Sequence, residues 1–205
     1  MQKVQEFFVS TFHNPIIATF IIACLPIFEL RGAIPFGMNV SFWGAKALNQ
    51  GTAFLISFIG SSIVVPIIAL LFKPILNYLK NTKMFRKIAC KFEKRLIDKS
   101  KSFENKNTRI KKILGIILFV GVPLPLTGAY TGTALAVLIG LEFWDAVISV
   151  LIGNLIAGGI ITLFSSLTPN ATNIILIAFV SFIVFMFFVW AIKNILKKIK
   201  QKQIK

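Results

Sequence analysis

The chain has 205 residues, of which 56% are hydrophobic and 21 are Phe, and its formal net charge is +16. Three uncharged runs, at 51–72, 146–167 and 173–192, are 20 to 22 residues long, enough to cross a hydrocarbon core of about 30 Å. The composition therefore excludes a soluble domain and predicts an all-α polytopic membrane protein. Because the positive charge lies in blocks beside the apolar runs, no nucleic-acid partner is expected.

The first elements are short. Segment 1–14 places its apolar residues on one helical face, which predicts an interfacial helix before the break at Asn14-Pro15. Segment 15–48 is apolar but interrupted, and it contains Glu29 and Arg31. One charged residue at the bilayer centre costs about 2.5 to 3.5 kcal/mol, so we expect these two to pair. We also expect an irregular or extended backbone there, because residues i and i+2 then point the same way.

Two basic segments set the orientation of the chain. Segment 73–112 holds 14 Lys or Arg against three acidic residues, and the tail 193–205 holds six lysines. Positive charge beside apolar spans predicts that both segments, and so the C-terminus, face the cytoplasm. The spacing of apolar residues in 73–112 further predicts an amphipathic segment on the anionic lipids of the inner leaflet. A solvated orientation signal with no other role is the alternative.

Parity then constrains segment 113–141. If 51–72 and 173–192 both run inward and 146–167 runs outward, 113–141 must begin and end on the cytoplasmic side. Its 29 residues are too few for two crossings, and Pro123, Pro125 and Gly128 interrupt it. We therefore predict a re-entrant hairpin here, and a second one at 15–48.

An internal repeat relates the two hairpins. "LRGAIP" at 30–35 and "LTGAYT" at 126–131 share Leu-x-Gly-Ala, and an apolar helix with "FIG" or "LIG" follows each. One crossing separates the copies, so the fold class is an inverted repeat of re-entrant hairpin plus transmembrane helix, with an extra C-terminal transmembrane helix. Such repeats place a transporter's binding site where the interrupted segments meet, near the membrane midplane.

The two tips differ in chemistry. One carries Glu29 and Arg31, and the other offers hydroxyl groups. The returning helices are expected to begin near Ala33 and Gly128, so their free N–H groups and positive dipole ends should point at the midplane. Together with Arg31 they would bind a phosphate or carboxylate, and Glu29 would be the proton-coupling group.

The predicted substrate and proton-coupling residues are Glu29, Arg31, Gly32, Thr127, Gly128, Tyr130 and Thr131. The predicted supporting residues are Pro35, Pro123, Pro125, Ser61 and Asn154. No catalytic residue, metal site or cofactor is expected. Alternatives remain: the charges could be a structural ion pair, the hydroxyl groups could satisfy turn carbonyls, and the prolines could only shape the turn.

The motifs "ELRGAIPFG" and "FVGVPLPLTGAYTG" resemble the small multidrug export protein family of prokaryotic membrane proteins, a distant relative of the DedA/VTT superfamily. The resemblance implies opposed re-entrant hairpins in a prokaryotic cell membrane. It assigns motif roles to Glu29, Arg31, Gly32, Pro35, Pro123, Pro125, Thr127, Gly128 and Gly132. Tyr130 and Leu126 depart from the family pattern, where Trp and Gly are expected. The family name implies drug export, whereas DedA relatives imply proton-dependent movement of lipid phosphates.

Several functions follow from these observations. A proton-coupled transporter or flippase of an anionic or lipid-phosphate substrate is favoured, because two helix dipoles and Arg31 oppose one carboxylate. Cationic multidrug efflux is one alternative, and a structural or membrane-assembly factor is another. A lipid enzyme is disfavoured because the seven acidic residues are scattered. The expected partners are the bilayer, protons and the substrate. The spacing Gly128-x-x-x-Gly132 also leaves a homodimer open.

Overall fold

The computed structural model describes residues 10–81, 106–124, 127–167 and 172–178, with single positions at 170, 181, 182, 184, 185 and 188. Every regular element in this part of the chain is a helix, which confirms the all-α class. Residues 1–9, most of the basic segment 73–112, Pro125, nine of the 20 residues of 173–192 and the whole tail 193–205 lie outside the described residues, and so do the predictions that fall on them.

The helices fall into two units that are similar in order. The first unit contains α1 (Pro15–Ala23), α2 (Glu29–Gly37), a short α3 (Val40–Trp43) with a 3-10 turn (Gly44–Lys46), and α4 (Gln50–Asn81). The second unit contains α5 (Lys106–Gly121), α6 (Ala129–Leu138) and α7 (Phe143–Ser166). Residues 172–178 are also helical.

Two helices are long and apolar enough to cross a membrane. They are Gln50–Phe72 within α4, 23 residues long, and α7, 24 residues long, close to the predicted runs 51–72 and 146–167. On α4 every fourth residue from Leu55 to Ile67 is apolar and exposed, as expected of a lipid-facing helix. The helix continues to Asn81, beyond the predicted end at 72, because Leu, Lys and Asn can extend a helix beyond the hydrocarbon layer.

The helices α1, α2 and α6 are too short to cross a membrane. α1, α2 and α6 have 9, 9 and 10 residues, about 14 to 15 Å each at 1.5 Å per residue. Asn14 caps α1 by accepting from the Ile16 N–H at 2.8 Å, and Pro15 starts it. α5 ends two residues before Pro123, because a proline disfavours helical backbone in the residue before it. α1 packs against α2 as the first hairpin, and α5 packs against α6 as the second hairpin.

The packing pattern is the same in both units. Within each unit, both helices of the hairpin contact each other and the long helix. Between the units α4 packs against α7, and the second helix of each hairpin packs against the long helix of the other unit. Asn154 donates a hydrogen bond to Ser61, and a Cβ on Gly158 would touch Phe54. The contact on α4 moves toward its start as the contact on α7 moves toward its end, so the two helices run antiparallel.

Two further contacts lie away from the hairpin tips. Fully buried Asn39 donates to the side-chain oxygen of Asn173 at 2.7 Å, and Asn173 donates to Ser41 at 3.3 Å, which ties residues 172–178 to the first unit. At the start of the second unit, exposed Arg109 holds Asp145 with two bonds of 2.6 and 2.8 Å.

Candidate functional site

A buried ion pair lies at the start of α2. Glu29 is 5% exposed and Arg31 is 3% exposed, and Nη1 of Arg31 donates to Oε2 of Glu29 at 3.0 Å. The structure therefore contains the pairing that the sequence predicted. Both charges have been removed from solvent, so their partners decide whether the arrangement is stable.

The backbone at this pair differs from the prediction. The expectation of an extended segment was wrong, because α2 begins at Glu29 itself and not near Ala33. The two side chains still meet because Glu29 has φ +48°, in the left-handed region. That conformation costs a residue with a Cβ about 1 to 2 kcal/mol, so the surrounding contacts must hold it.

The Glu29 carboxylate reaches across to the second hairpin. Its Oε2 accepts from the N–H of Ala129 at 3.0 Å, and its Oε1 accepts from the N–H of Tyr130 at 3.2 Å. These are the first two residues of α6, which starts beside Gly128 as predicted. The carboxylate therefore sits on the positive end of this helix, where a negative charge is favoured.

The Arg31 guanidinium binds carbonyl groups at the end of α5 and in the turn between α5 and α6. Its Nη2 donates to the carbonyl of Val120 at 2.7 Å and to that of Thr127 at 3.1 Å. Val120 belongs to the last turn of α5, where carbonyls have no partner within the helix and the dipole is negative. Nε of Arg31 is buried and has no hydrogen-bond partner among the described residues.

We refer to these groups together as the tip cluster. It consists of the side chains of Glu29 and Arg31 and the main-chain groups of Val120, Thr127, Ala129 and Tyr130. The first hairpin supplies both charges, and the second supplies every main-chain partner.

Two glycines predicted for the site have a steric role. A Cβ on Gly128 would lie 1.3 Å from Oε2 of Glu29 and 2.1 Å from Nη1 of Arg31, so the ion pair occupies the space where a side chain would be. A Cβ on Gly32 would lie 2.9 Å from Cδ1 of Phe28. Any larger residue at position 128 would therefore displace the ion pair.

The three hydroxyl groups have different partners. Those of Thr127 and Thr131 contact carbonyls of their own turn: Thr127 reaches Val122 and Leu124 at 2.9 Å, and Thr131 reaches Gly128 at 3.4 Å. This geometry agrees with the alternative that they satisfy turn carbonyls. The hydroxyl of Tyr130 instead donates to the carbonyl of Cys24, which joins it to the turn of the first hairpin.

The structure describes four of the five supporting residues, namely Ser61, Asn154, Pro35 and Pro123. Asn154 donates to Ser61 at 3.2 Å, and a Cβ on Gly153 would lie 2.7 Å from Cβ of Val120, whose carbonyl binds Arg31. Buried Pro35 has no N–H to donate to the Arg31 carbonyl four residues earlier. Pro123 lies in the turn after α5, and Pro125 lies outside the described residues.

Sequence reasoning predicted free N–H groups at the start of α6 but missed the carbonyl groups of Val120 and Thr127. The carbonyl of Val120 and the N–H group of Ala129 carry much of the geometry, yet neither residue has a functional side chain. The signal available was the end of an apolar helix just before Pro123, because the last four carbonyls of a helix lack internal partners. The described residues also contain no group of three or more His, Cys, Asp or Glu that could hold a metal ion.

The apolar helices and the family comparison together define a helical membrane protein. Residues 29–161, about two thirds of the chain, match the family described as "Putative small multi-drug export protein", and the chain belongs to this family. The matched region begins at Glu29 and contains both hairpin tips. Comparisons with curated proteins and with solved structures gave no match.

Proposed function

We propose that the protein is a membrane transporter of the small multidrug export type, DedA-like and proton-coupled, and that an anionic or lipid-phosphate substrate passes through the tip cluster. The observation that carries this proposal is a buried carboxylate held by a guanidinium and a helix N-terminus where two hairpins meet. Ionisable groups inside a membrane are costly, and they usually mark a substrate or proton pathway.

Equivalent glycines support an inverted repeat of re-entrant hairpin plus transmembrane helix. A Cβ on Gly60 would lie 2.8 Å from Cβ of Ala23, just as a Cβ on Gly153 would lie 2.7 Å from Cβ of Val120. Each glycine thus lets its long helix approach the first helix of its own hairpin. Since the hairpin helices are too short to cross about 30 Å, a re-entrant arrangement suits them.

The bond between Ser61 and Asn154 supports the same symmetry. These residues directly follow Gly60 and Gly153, so they occupy equivalent positions in the two units and also touch each other. Equivalent residues in contact lie at the axis that relates the two copies. Because α4 and α7 are antiparallel, that axis runs across the helices, within the membrane plane, as in inverted repeats of transporters.

The anchoring of Arg31 favours an anionic substrate. Its guanidinium is held by two carbonyls of the second hairpin, independently of Glu29. Glu29 is held on a left-handed backbone and contacts groups that any anion could use. An anion would therefore need to displace only Glu29, which we propose as the proton-coupling group.

Two other functions have specific support. The family description favours drug export, and a cationic drug would replace Arg31 as the partner of Glu29. For that exchange Arg31 would have to leave the carbonyls of Val120 and Thr127. The nearly complete hydrogen bonding of the tip cluster favours a structural factor in which Glu29 and Arg31 only fasten the hairpins together.

The proposed setting follows from the charge pattern. We place the protein in a prokaryotic cell membrane with the basic tail 193–205 on the cytoplasmic side, next to anionic lipids of the inner leaflet. The proposal requires no cofactor and no enzymatic step, and it leaves a homodimer open.

Transport into proteoliposomes tests the proposed function. A fluorescent polyprenyl phosphate and ethidium are assayed in parallel, with and without a pH gradient, for wild type, Glu29→Gln and Arg31→Lys. Arg109→Ala, which removes an exposed ion pair away from the tip cluster, is the control. We expect gradient-dependent movement of the phosphate, lost in both tip variants and retained in the control.

Other results would replace the proposal. Movement of ethidium alone would establish cationic drug export. If neither compound moves and both tip variants lose their monodisperse profile on size exclusion, the tip cluster is a structural fastening.

A further inference from the structure

The carboxylate of Glu29 occupies the position that an anionic substrate would take. We infer that ionised Glu29 and a bound phosphate group exclude each other at the tip cluster, so that substrate and proton bind together and cross in the same direction. This inference rests on the proposed function, and it adds the chemistry of the substrate and the sign of the coupling.

One donor at this position is not satisfied by the Glu29 carboxylate. Glu29 accepts from Ala129, from Tyr130 and from Nη1 of Arg31 with its two oxygens. Nε of Arg31, on a side chain that is 4% exposed, has no acceptor among the described residues. A phosphate monoester offers three strong acceptor oxygens, and a diester offers two together with two weaker ester oxygens, so either has an acceptor to spare for Nε of Arg31.

There is no room for both anions. The space beside Gly128 is filled by Glu29 and Arg31, since one added carbon there would lie 1.3 Å from Oε2 and 2.1 Å from Nη1. A phosphate that binds the N–H groups of Ala129 and Tyr130 must therefore replace the Glu29 carboxylate. Glu29 is the group to move, because Arg31 is also held by the carbonyls of Val120 and Thr127.

Displacement requires a proton. An ionised Glu29 moved away from Arg31 would be a buried charge without a partner, facing a second anion, and an uncompensated buried charge is strongly unfavourable. If Glu29 takes one proton from water as a monoanion enters, the net charge of the tip cluster stays the same. Release reverses the exchange, and no covalent bond of the substrate changes.

The other titratable groups around Glu29 leave it as the group that titrates. The Tyr130 hydroxyl and the Cys24 thiol lie near it on α6 and on the turn before α2, and their ordinary pKa values are about 10 and 8.5. The described charged residues of α5 and α7 lie near the starts of those helices, namely Lys106, Arg109, Lys111, Lys112 and Asp145, whereas the tip cluster lies at the end of α5 and near the middle of α7.

Calorimetry on the purified full-length protein tests the inference. The probes are dibutyl phosphate, a diester that keeps one negative charge between pH 5 and 8, and farnesyl phosphate, a lipid monoester. Each titration is repeated in two buffers with different ionisation enthalpies, which counts the protons taken up per anion bound. The variants are Glu29→Gln, which mimics the protonated acid, and Glu142→Gln, a control at an exposed acid.

We expect wild type and Glu142→Gln to take up close to one proton per dibutyl phosphate at pH 7, and to lose up to about tenfold in affinity per pH unit above it. Glu29→Gln should bind without proton uptake and with an affinity independent of pH. If Glu29→Gln does not fold, the proton count of the wild type alone decides.

The possible failures are distinguishable. Binding by the wild type without proton uptake overturns the inference and leaves the proposed transport of anions intact. If neither phosphate binds and ethidium does, the substrate class is wrong and the inference fails with it. Binding of both phosphates identifies the phosphate group itself as the ligand, whereas binding of farnesyl phosphate alone identifies a lipid headgroup. Because a phosphate monoester can itself take up a proton near pH 6, proton uptake with farnesyl phosphate supports the inference only if Glu29→Gln abolishes it.

Discussion

The tips of the two hairpins are built on the same plan but contribute different chemistry. The first tip supplies two charged side chains, Glu29 and Arg31, and the second supplies main-chain N–H and carbonyl groups around Gly128. Each charge lies against the helix end that favours it, the carboxylate at the start of α6 and the guanidinium at the end of α5. The comparison shows that the site is complete only when the tips meet. Either tip alone would be costly to bury, because its charged or main-chain groups would lack partners.

The largest effect is expected from removing one charge of the first tip. Arg31→Ala leaves the Glu29 carboxylate buried without a cation, and we expect the free energy of unfolding to fall by about 3 to 5 kcal/mol. Denaturant unfolding in detergent measures this. The double variant Glu29→Ala, Arg31→Ala should lose less than the sum of the two single variants. Strict additivity would show that the charges do not depend on each other.

A change in the second tip should act on the charges of the first. Gly128→Ala introduces a carbon where Oε2 of Glu29 lies, so we expect a loss of at least about 2 kcal/mol in thermal or denaturant unfolding. Gly115→Ala is the matched control in the same hairpin, because a Cβ there meets nothing within 4 Å. It should be neutral or stabilising by up to about 1 kcal/mol. Equal stabilities for the two variants would refute the tip contact.

The likeness of the two units is tested at their glycines. Gly60→Ala and Gly153→Ala should each cost about 1 to 3 kcal/mol, because each new Cβ would meet backbone and side chain of the neighbouring hairpin. Unfolding midpoints measure this. Gly159→Ala, on α7 with nothing within 4 Å, should not be destabilised. A large cost at only one of the two positions would argue against their equivalence.

The smallest effect is expected at the hydrogen bond between the two long helices, α4 and α7. Asn154→Ala and Ser61→Ala each remove one hydrogen bond between α4 and α7, worth about 0.5 to 1.5 kcal/mol. A double-mutant cycle of unfolding free energies should show a coupling of that size. A coupling of zero would mean that the bond contributes nothing to holding the units together.

The sequence predicted the long helices well, because uncharged runs of sufficient length leave few alternatives. It also predicted the pairing of Glu29 with Arg31, because two isolated charges in an apolar segment need each other. The family is confirmed as well, through the motifs that contain both tips.

The details of the tip could not be predicted in the same way. The left-handed backbone at Glu29 depends on contacts with α6, which lies about 100 residues further along the chain. The roles of the Val120 and Thr127 carbonyls rest on main-chain atoms that every residue possesses, so their side chains give no signal. The hydroxyl of Tyr130 binds the Cys24 carbonyl because of how the two hairpins pack, which no local pattern encodes.

The link between Asn39 and Asn173 has a consequence for the energies of the two end states of a transport cycle. In an inverted repeat, the halves exchange conformations, and two identical halves would give inward-open and outward-open states of equal energy. Residues 172–178 contact the first unit through Asn173 and Leu176. Under the proposed function, a helix attached to one half removes that degeneracy, and we expect the empty protein to have a preferred resting side.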